Sequence, residues 1–293
     1  MTTDQRPDLS GRTVGLVGLG LMGRPMARNL ARAGAGVVVH NRSRGPMEEL
    51  AKEGLRPADS PADVARAADT LILMLTDTPA VEAVTDALSG ALTPGHLVVD
   101  MGTTAVGATR RLAERVRAAG ADWVDAPVSG GQVAAEAATL TIMAGGTHAS
   151  FERARPLFEA LGRRITHVGD VGAGQIAKTA NQVIVGLTIG AVAEALALAK
   201  AAGADPAKVR EAIRGGFAES RILELHGARM VSGDFTPGAR ATTQLKDLTQ
   251  AEDLAEQSGI DLPAVSLCRE LYELLVEKGD GGLDHAALYR LFS

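Results

Sequence analysis

The sequence is poor in cysteine and aromatic residues and has no marked excess of charge. Cys268 is the only cysteine among 293 residues, which excludes an intramolecular disulfide and a metal site built on several cysteines. The formal net charge is -5 and no basic run occurs, so the chain has no field that would attract nucleic acid or an anionic membrane. These absences predict a cytoplasmic protein without a metal site that binds neither nucleic acid nor a membrane.

The ends and the middle of the chain give no sign of targeting. Residues 1–12 are polar and lack the basic and then apolar order of a secretory signal, so we expect a loose, disordered leader. Residues 183–202 come nearest to a membrane span, but Glu194 and Lys200 interrupt them, and we interpret the segment as a buried helix. A hydrophobic content of 46% is ordinary for a globular protein, and the length suits two domains.

Two patterns of hydrophobicity divide the chain. Up to about residue 171, short β-branched runs (TVGLVG, VVVH, TLILMLT, LVVD) alternate with amphipathic segments, and WVDAPVS, TLTIMAG and RITHVG follow as further strands of one sheet, with a helix at 148–161. This rhythm predicts an α/β domain of the Rossmann type over 1–171. Beyond the glycine cluster at 169–174 only helical patterns follow, which predicts an all-α domain over 172–293, built on a long buried helix. The helices are expected at 175–200, 206–214, 220–231, 245–258 and 262–278.

A glycine-rich turn marks the start of the first domain. Gly18, Gly20 and Gly23 stand between a predicted strand and a helix that begins near Met22. In this context the glycines permit a tight turn, a close approach of pyrophosphate to the backbone, and close packing of helix on strand. A glycine trio alone is a weak signal, but its place at the head of an alternating β/α half predicts dinucleotide binding.

The end of the second strand bears on the choice of cofactor. NAD enzymes of this fold place an acid there for the ribose hydroxyls, whereas an arginine accommodates the 2′-phosphate of NADP. Here the strand is followed by Asn41, Arg42, Ser43 and Arg44, with no acid in reach. We therefore predict that NADP(H) is preferred over NAD(H). The alternative is that both arginines are solvated loop charges.

One face of the long helix carries polar residues that its apolar surroundings make costly. Lys178, Asn181 and Gln182 are spaced i, i+3 and i+4, so they point to the same side. Polar groups on an apolar helix cost free energy unless they are solvated or take part in binding or catalysis. A lysine that extends its ammonium to solvent from the helix's first turns is the alternative interpretation.

Four further motifs, together with GLGLMG, resemble the β-hydroxyacid dehydrogenase family (3-hydroxyisobutyrate dehydrogenase-like) over nearly the whole chain. They are DAPVSGG at 125–131, TLTIMAGG at 139–146, GAGQIAKTANQ at 172–182 and LKDL at 245–248. The resemblance implies a catalytic lysine, Lys178, and a carboxylate-bearing substrate held by Ser129, Gly130 and Gly131, with Asn181 and Gln182 beside it. The cofactor-binding residues would be Gly18, Leu19, Gly20, Leu21, Met22, Gly23, Asn41, Arg42, Ser43, Thr103 and Lys246, the last closing over the nicotinamide.

The chain departs from the family pattern at two positions. Ala138 stands where the family usually has glycine before the TL pair, which puts a turn geometry in doubt, and Gln182 replaces a second asparagine common in 3-hydroxyisobutyrate dehydrogenases. KTANQVIVG, AIRGGFAES and GLDHAAL resemble the 2-hydroxy-3-oxopropionate (tartronate semialdehyde) reductases of the family. The implied reaction is reduction of tartronate semialdehyde to glycerate with NADPH. His285 lies in the last of these motifs, and we interpret it as structural.

Other functions stay open at the level of sequence. Within the family they are 3-hydroxyisobutyrate dehydrogenase and glyoxylate or succinic semialdehyde reductase. Imine reduction on a similar scaffold is disfavoured because those enzymes lack the lysine. A non-catalytic NADP-binding protein would be expected to have lost Lys178 or Ser129, and this chain keeps both. The apolar stretch 175–200 is too extensive for the remaining short helices to cover, which predicts a homodimer or homotetramer.

Overall fold

A computed structural model describes residues 7–293, and these divide into two compact units, the first ending at Lys178 and the second running from Thr179 to Ser293. Residues 1–6 of the expected leader lie outside the described residues. For residues 7–12 the expectation of disorder is wrong. Leu9 is fully buried in the core, and its N–H donates to the carbonyl oxygen of Ala33 at 2.7 Å. One apolar side chain thus anchors an otherwise polar segment.

The first unit is built on one sheet whose first six strands are parallel. They are β1 Thr13–Val17, β2 Gly36–His40, β3 Arg56–Pro57, β4 Thr70–Leu73, β5 Leu97–Asp100 and β6 Asp122–Asp125. Their order is β3-β2-β1-β4-β5-β6, the doubly wound order of dinucleotide-binding domains. The predicted Rossmann-type domain is confirmed, and the carboxyl ends of these strands define the edge at which such domains bind ligands.

Three more strands extend the same sheet. β7 (Val128–Ser129) and β8 (Leu140–Gly145) pair antiparallel, β8 also pairs antiparallel with β6, and β9 (Gly162–Gly169) runs parallel to β8. The expectation that the later strands join the first sheet is therefore confirmed. Because β6 and β7 are joined by only Ala126 and Pro127, the chain turns directly from the Rossmann edge into the extension.

Helices cover both faces of this sheet, and two clusters of buried apolar side chains fill the layers between. Valine, isoleucine and leucine dominate the strands because a parallel sheet with two covered faces leaves no solvated side. The helices are α1 Gly23–Arg32, α2 Gly45–Lys52, α3 Pro61–Ala67, α4 Thr78–Ser89, α5 Val106–Ala118, α6 Gly131–Ala137 and α7 His148–Leu161.

The second unit is helical, as the sequence predicts. Over 170–293, all of which the structure describes, the only β-type pairing is an isolated bridge between Arg240 and Asp284. The elements are α8 Ala173–Ala201, which begins in the first unit, then α9 Pro206–Ile213, α10 Arg221–Ser232, α11 Ala241–Ser258 and α12 Pro263–Leu275, followed by a π turn at Val276–Asp280 and a 3-10 helix at His285–Leu291.

The long helix α8 is buried along one side. Ile189, Ala193 and Leu196 lie in the core of the second unit. Gly186 lets α11 approach closely, since a Cβ there would lie 2.8 Å from Gln244 Nε2, and α12 packs beside it with the Cys268 thiol 3.4 Å from the carbonyl oxygen of Gly186. By length and composition α8 could cross a membrane, a property it shares with core helices of globular proteins, and less than half of its most apolar stretch is buried in the single chain.

Candidate active site

The glycine-rich turn between β1 and α1 has the geometry that a dinucleotide requires. Gly18 adopts a φ of 102°, and a Cβ there would lie 2.3 Å from the carbonyl oxygen of Met74. A Cβ on Gly23 would lie 1.8 Å from the carbonyl oxygen of Gly18, so this glycine sets the close packing of α1 on β1. A Cβ on Gly20 would meet nothing within 4 Å, so the backbone there faces open space. The three glycines thus divide the roles of turn, approach and packing.

The start of α1 supplies a partner for the phosphates. Met22 precedes the helix and gives it no side-chain cap, and no acidic residue lies in the first turn. Uncapped N–H groups and the positive end of the helix dipole favour an anion at this position. Leu19 and Leu21 flank Gly20, and the N–H of Leu19 donates to the Asn41 side-chain oxygen at 3.0 Å.

The end of β2 presents cations and hydroxyls. Asn41 links the two loops, because its amide also donates to the Ser43 hydroxyl at 2.8 Å. Arg42, Ser43 and Arg44 are exposed, and none of the ion pairs found among residues 7–293 involves either arginine. No acid stands at the end of the strand, where the His40 ring Nδ1 donates to the carbonyl oxygen of Ala58 at 2.9 Å. This edge fits the ribose end of a nicotinamide dinucleotide.

Hydrogen bonds fix the segment after β5, which lies at the same edge of the sheet as the glycine-rich turn after β1. Asp100 ends the strand, is fully buried, and accepts from the Thr104 hydroxyl at 2.6 Å and the N–H of Gly102 at 3.0 Å. Thr103 lies between them and is half-buried. The predicted cofactor contact at Thr103 therefore sits on a loop whose neighbours on both sides are fixed.

The turn after β7 presents backbone rather than side chains. Ser129 is half-buried, and Gly130 and Gly131 are exposed with φ of 129° and 64°. Consecutive glycines with positive φ can point their N–H groups into one concavity, which is an arrangement that binds anions. The turn leads into α6, which ends at Ala138 with a φ of 55°, the only non-glycine residue of 7–293 in the left-handed region. The residue that departs from the family pattern is thus in a conformation that glycine adopts more easily.

Lys178 lies in the second turn of α8 and is only 8% exposed. The alternative of a lysine that extends into solvent from this helix is therefore contradicted by its burial. Gln175, three residues earlier, is 1% exposed and binds the loop after β5, through the N–H of Thr104 at 3.1 Å and the carbonyl oxygen of Gly102 at 2.9 Å. The helix that carries the lysine is thereby tied to the carboxyl edge of the sheet.

A second buried carboxylate holds the same helix start. Asp125 ends β6, is fully buried, and accepts from the N–H of Gly172 at 2.7 Å and of Gln175 at 2.9 Å. Burial raises the pKa of Asp125 to about 6, against the opposing effect of these N–H donors. In the DAPVSGG motif, the sequence indicates roles for the serine and the glycines but not for the aspartate, Asp125.

The second unit has a polar cluster of its own around one buried carboxylate, Asp247. Asn181 donates to the Gln182 side-chain oxygen at 2.8 Å, and the Gln182 amide donates to Asp247 at 2.5 Å. Lys246 lies with its ammonium 3.1 Å from Asp247, which is 3% exposed. The structure thus brings Gln182 and Lys246 to one carboxylate, and Asp247 is a polar residue of the LKDL motif to which the sequence assigned no role.

Two other reactive groups are structural. Burial raises the pKa of the Cys268 thiol to about 11, so it is not a nucleophile at neutral pH. His226, Asp284 and His285 lie close together, but Asp284 already accepts from the N–H groups of Gly238 and Ala286 and is 3.2 Å from the Arg229 guanidinium. The Asp284 carboxylate is thus held by donors of the protein itself, which supports the structural interpretation of His285.

A doubly wound sheet with this glycine turn, and with a buried lysine at its carboxyl edge, defines a nicotinamide-dinucleotide-dependent oxidoreductase. Residues 13–169 match the family model described as the NAD binding domain of 6-phosphogluconate dehydrogenase, and residues 172–292 match that described as NAD-binding of NADP-dependent 3-hydroxyisobutyrate dehydrogenase. The chain belongs to the 3-hydroxyisobutyrate dehydrogenase-like family of NAD(P)-dependent β-hydroxyacid dehydrogenases.

Individual relatives are similar over nearly their whole length. The chain is 46% identical to 2-hydroxy-3-oxopropionate reductase of Escherichia coli (strain K12), covering 94% of this chain and 95% of that one. Among solved structures, 3-hydroxyisobutyrate dehydrogenase of Mycobacterium tuberculosis with L-serine has a TM-score of 0.89 at 30% identity, over 96% and 98% of the chains. Psf3 in complex with NADP+ and 2-OPP has a TM-score of 0.86 at 26% identity, over 96% and 100%.

Proposed function

We propose that this enzyme reduces tartronate semialdehyde to glycerate with NADPH. The observation that carries the proposal is the burial of Lys178 on a helix tied to the carboxyl edge of a dinucleotide-binding sheet. The family defines an oxidoreductase of small hydroxy acids or their aldehydes, and the 46% identity to a 2-hydroxy-3-oxopropionate reductase supports this substrate among them.

The chemistry assigned to the lysine is proton transfer to the carbonyl oxygen. When bound, a reduced nicotinamide would supply the hydride for the aldehyde carbon, with the electrons of the carbonyl π bond moving to the oxygen. The Lys178 ammonium stabilises the negative charge that develops on the oxygen and then gives up a proton to it, so the aldehyde becomes an alcohol. Solvent returns the proton to the lysine after product release.

The other residues bind and orient. The Ser129 hydroxyl and the N–H groups of Gly130 and Gly131 hold the substrate carboxylate, since they offer donors without side-chain obstruction. Asn181 and Gln182, on the helix that carries Lys178, contact the substrate. Thr103 contacts the cofactor, and Lys246 closes over the nicotinamide.

The preference for NADPH rests on the end of β2. Arg42 and Ser43 are exposed, Asn41 holds Ser43 in place, and an acid that would favour the free ribose hydroxyls is missing from this strand end. The solved complex of Psf3 with NADP+ supports a phosphorylated cofactor on this scaffold. Residues 18–23 hold the pyrophosphate for either cofactor.

Initial rates with a panel of substrates test the proposal. The panel comprises tartronate semialdehyde, glyoxylate, succinic semialdehyde and methylmalonate semialdehyde with NADPH or NADH, and 3-hydroxyisobutyrate and L-serine in the oxidative direction. We expect the highest kcat/KM with tartronate semialdehyde and NADPH. A higher value with 3-hydroxyisobutyrate or L-serine and NAD+ would replace the proposed substrate and cofactor, and no turnover with any member would favour a binding protein.

A further inference from the structure

The helix that carries Lys178 has no acidic residue in its own first turn. α8 starts at Ala173, directly after Gly172. The first N–H groups of a helix have no partner within the helix and need one from elsewhere when they are buried. Here the partner comes from a strand 47 residues earlier in the chain, through the two oxygens of Asp125.

The two Asp125 oxygens are divided between two helix donors. Oδ1 accepts from the N–H of Gly172 at 2.7 Å, and Oδ2 accepts from the N–H of Gln175 at 2.9 Å. A carboxylate at this position also complements the positive end of the helix dipole. The arrangement needs both oxygens as acceptors. An amide offers only one acceptor atom, and a protonated acid accepts more weakly at the oxygen that bears the proton.

Two glycines leave room for this carboxylate. A Cβ on Gly174 would lie 2.9 Å from Asp125 Oδ2 and 2.6 Å from the carbonyl oxygen of the same residue. A Cβ on Gly145, in β8, would lie 2.8 Å from Asp125 Oδ2. Real Cβ atoms do not approach so closely, so the chain has two positions without side chains where the carboxylate meets the helix.

Gln175 provides a second, independent fixed point. Its side chain binds the loop after β5 at Gly102 and Thr104, while its N–H binds Asp125 after β6. Two anchors on neighbouring strands fix the rotation of α8 about its axis as well as its position. Lys178 follows Gln175 by three residues, so any rotation of the first turn moves the ammonium with it.

We propose that Asp125 is a positioning residue, whose carboxylate fixes the first turn of α8 and thereby aims the Lys178 ammonium at the reacting carbonyl oxygen. This inference rests on the proposed role of Lys178 as the proton donor. A displacement of about 1 Å in a catalytic group can cost about 10²-fold in rate. The effect of losing the carboxylate therefore falls on turnover.

The proposal carries a pH dependence with a definite direction. Burial raises the pKa of Asp125 to about 6, and below that pH the protonated acid turns one acceptor into a donor facing an N–H group. The charged residues placed beside it are Asp100, in register with Asp125 on the neighbouring strand, and Asp170 and Arg110 at the turn before α8. Turnover should therefore fall as one proton binds near pH 6.

Titration of Asp125 does not by itself destabilise the fold in this pH range. An acid whose folded pKa is raised from 3.8 to about 6 is bound to its proton more tightly in the folded state. Its contribution to the free energy of unfolding therefore grows as the pH falls from about 6 to about 4. The structure predicts that turnover declines across this interval while protonation of Asp125 favours the fold.

The experiment compares Asp125→Asn with Asp122→Asn, which makes the same change at the exposed start of β6, where Asp122 pairs with Arg153. For Asp125→Asn we expect kcat to fall by about 10- to 100-fold, with the KM for the aldehyde and the Kd for NADPH within about threefold of wild type. Its kcat should no longer change near pH 6. Asp122→Asn should behave as wild type.

Three outcomes would overturn the proposal: wild-type kcat in folded Asp125→Asn, a loss confined to KM or NADPH affinity, or a wild-type kcat that stays constant down to pH 5. The wild-type pH profile decides the matter even if the variant does not fold. Gln175→Met, which keeps the side-chain volume and removes the other anchor, should show the same split between kcat and KM. If Lys178→Ala also turned over normally, the role of the lysine would fail, whereas a dead Lys178→Ala with normal Asp125→Asn refutes only the positioning role.

Discussion

At the scale of single residues, burial distinguishes Lys178, to which we assign the proton transfer, from the other lysines of the described residues. A buried ammonium loses several kcal/mol of hydration unless partners replace the water. Lys178 is 8% exposed on a helix made largely of alanine, valine, leucine and isoleucine. A cationic side chain buried in such a place is most simply explained by a role in catalysis or binding. Arg42, by contrast, is exposed, and its role depends on the molecule that binds beside it.

Arg42 gives the residue-scale test of cofactor preference. Arg42→Asp should lower the ratio of kcat/KM for NADPH to that for NADH by about 10- to 100-fold, since charge-assisted hydrogen bonds contribute about 1.5 to 3 kcal/mol. Steady-state kinetics with both cofactors measure the ratio. Arg117→Asp, the same change on the exposed face of α5, serves as the control. An unchanged ratio in Arg42→Asp would remove this arginine from the cofactor site.

At the scale of elements, local pattern predicts most of what the structure contains. The strands β1, β2, β4 and β5 coincide with the β-branched runs, and α7 begins and ends where its apolar period does. The glycine-rich turn is also predictable from local sequence, because each of its glycines is required by the turn, the open approach or the packing within one strand–turn–helix unit. These features depend on residues close together in sequence.

The elements that the sequence did not predict depend on distant partners. β3 has two residues and exists because it pairs with β2, and α6 is a seven-residue helix closed by Ala138 in a left-handed conformation. α8 begins two residues earlier than its apolar pattern, since Asp125 caps it from another strand. α11 begins at Ala241 rather than 245, within a polar stretch that carries no helical period.

The candidate site divides in the same way. Gly18, Ser129 and Lys178 belong to motifs that can be recognised along the chain. Asp125 and Gln175 are 50 residues apart, and nothing in the spacing indicates that their atoms meet. Buried polar residues at the ends of neighbouring parallel strands are the signal that could have found Asp100 and Asp125, because those ends share one edge of the sheet.

At the scale of the whole molecule, we propose a homodimer or homotetramer. In the single chain, Ile184 and Leu198 on α8 are 66% and 71% exposed, and Leu267 and Leu274 on α12, the helix packed against α8, are 60% and 42% exposed. Exposed apolar side chains on two helices that pack together are typical of an interface.

Light scattering at micromolar concentration tests the assembly, with a multiple of 30.2 kDa expected. Leu198→Glu should shift the population towards monomer, because it buries a charge in the apolar interface. Val133→Glu replaces an equally exposed apolar residue in the first unit and should leave the mass unchanged. A wild-type monomer would refute the proposal, and an unchanged oligomer in Leu198→Glu would place the interface elsewhere.

The central claim is that turnover of the whole enzyme depends on one proton donor, and Lys178→Ala tests it most directly. The cofactor is assigned to residues 18–23, Arg42 and Thr103, so NADPH titration of the folded variant should give a Kd close to that of wild type. Turnover should fall by about 10² to 10⁴-fold, the range of general acid catalysis, and towards the upper end because charge stabilisation is lost as well. A folded Lys178→Ala that binds NADPH and keeps more than about a tenth of wild-type kcat lies outside that range and would contradict the account.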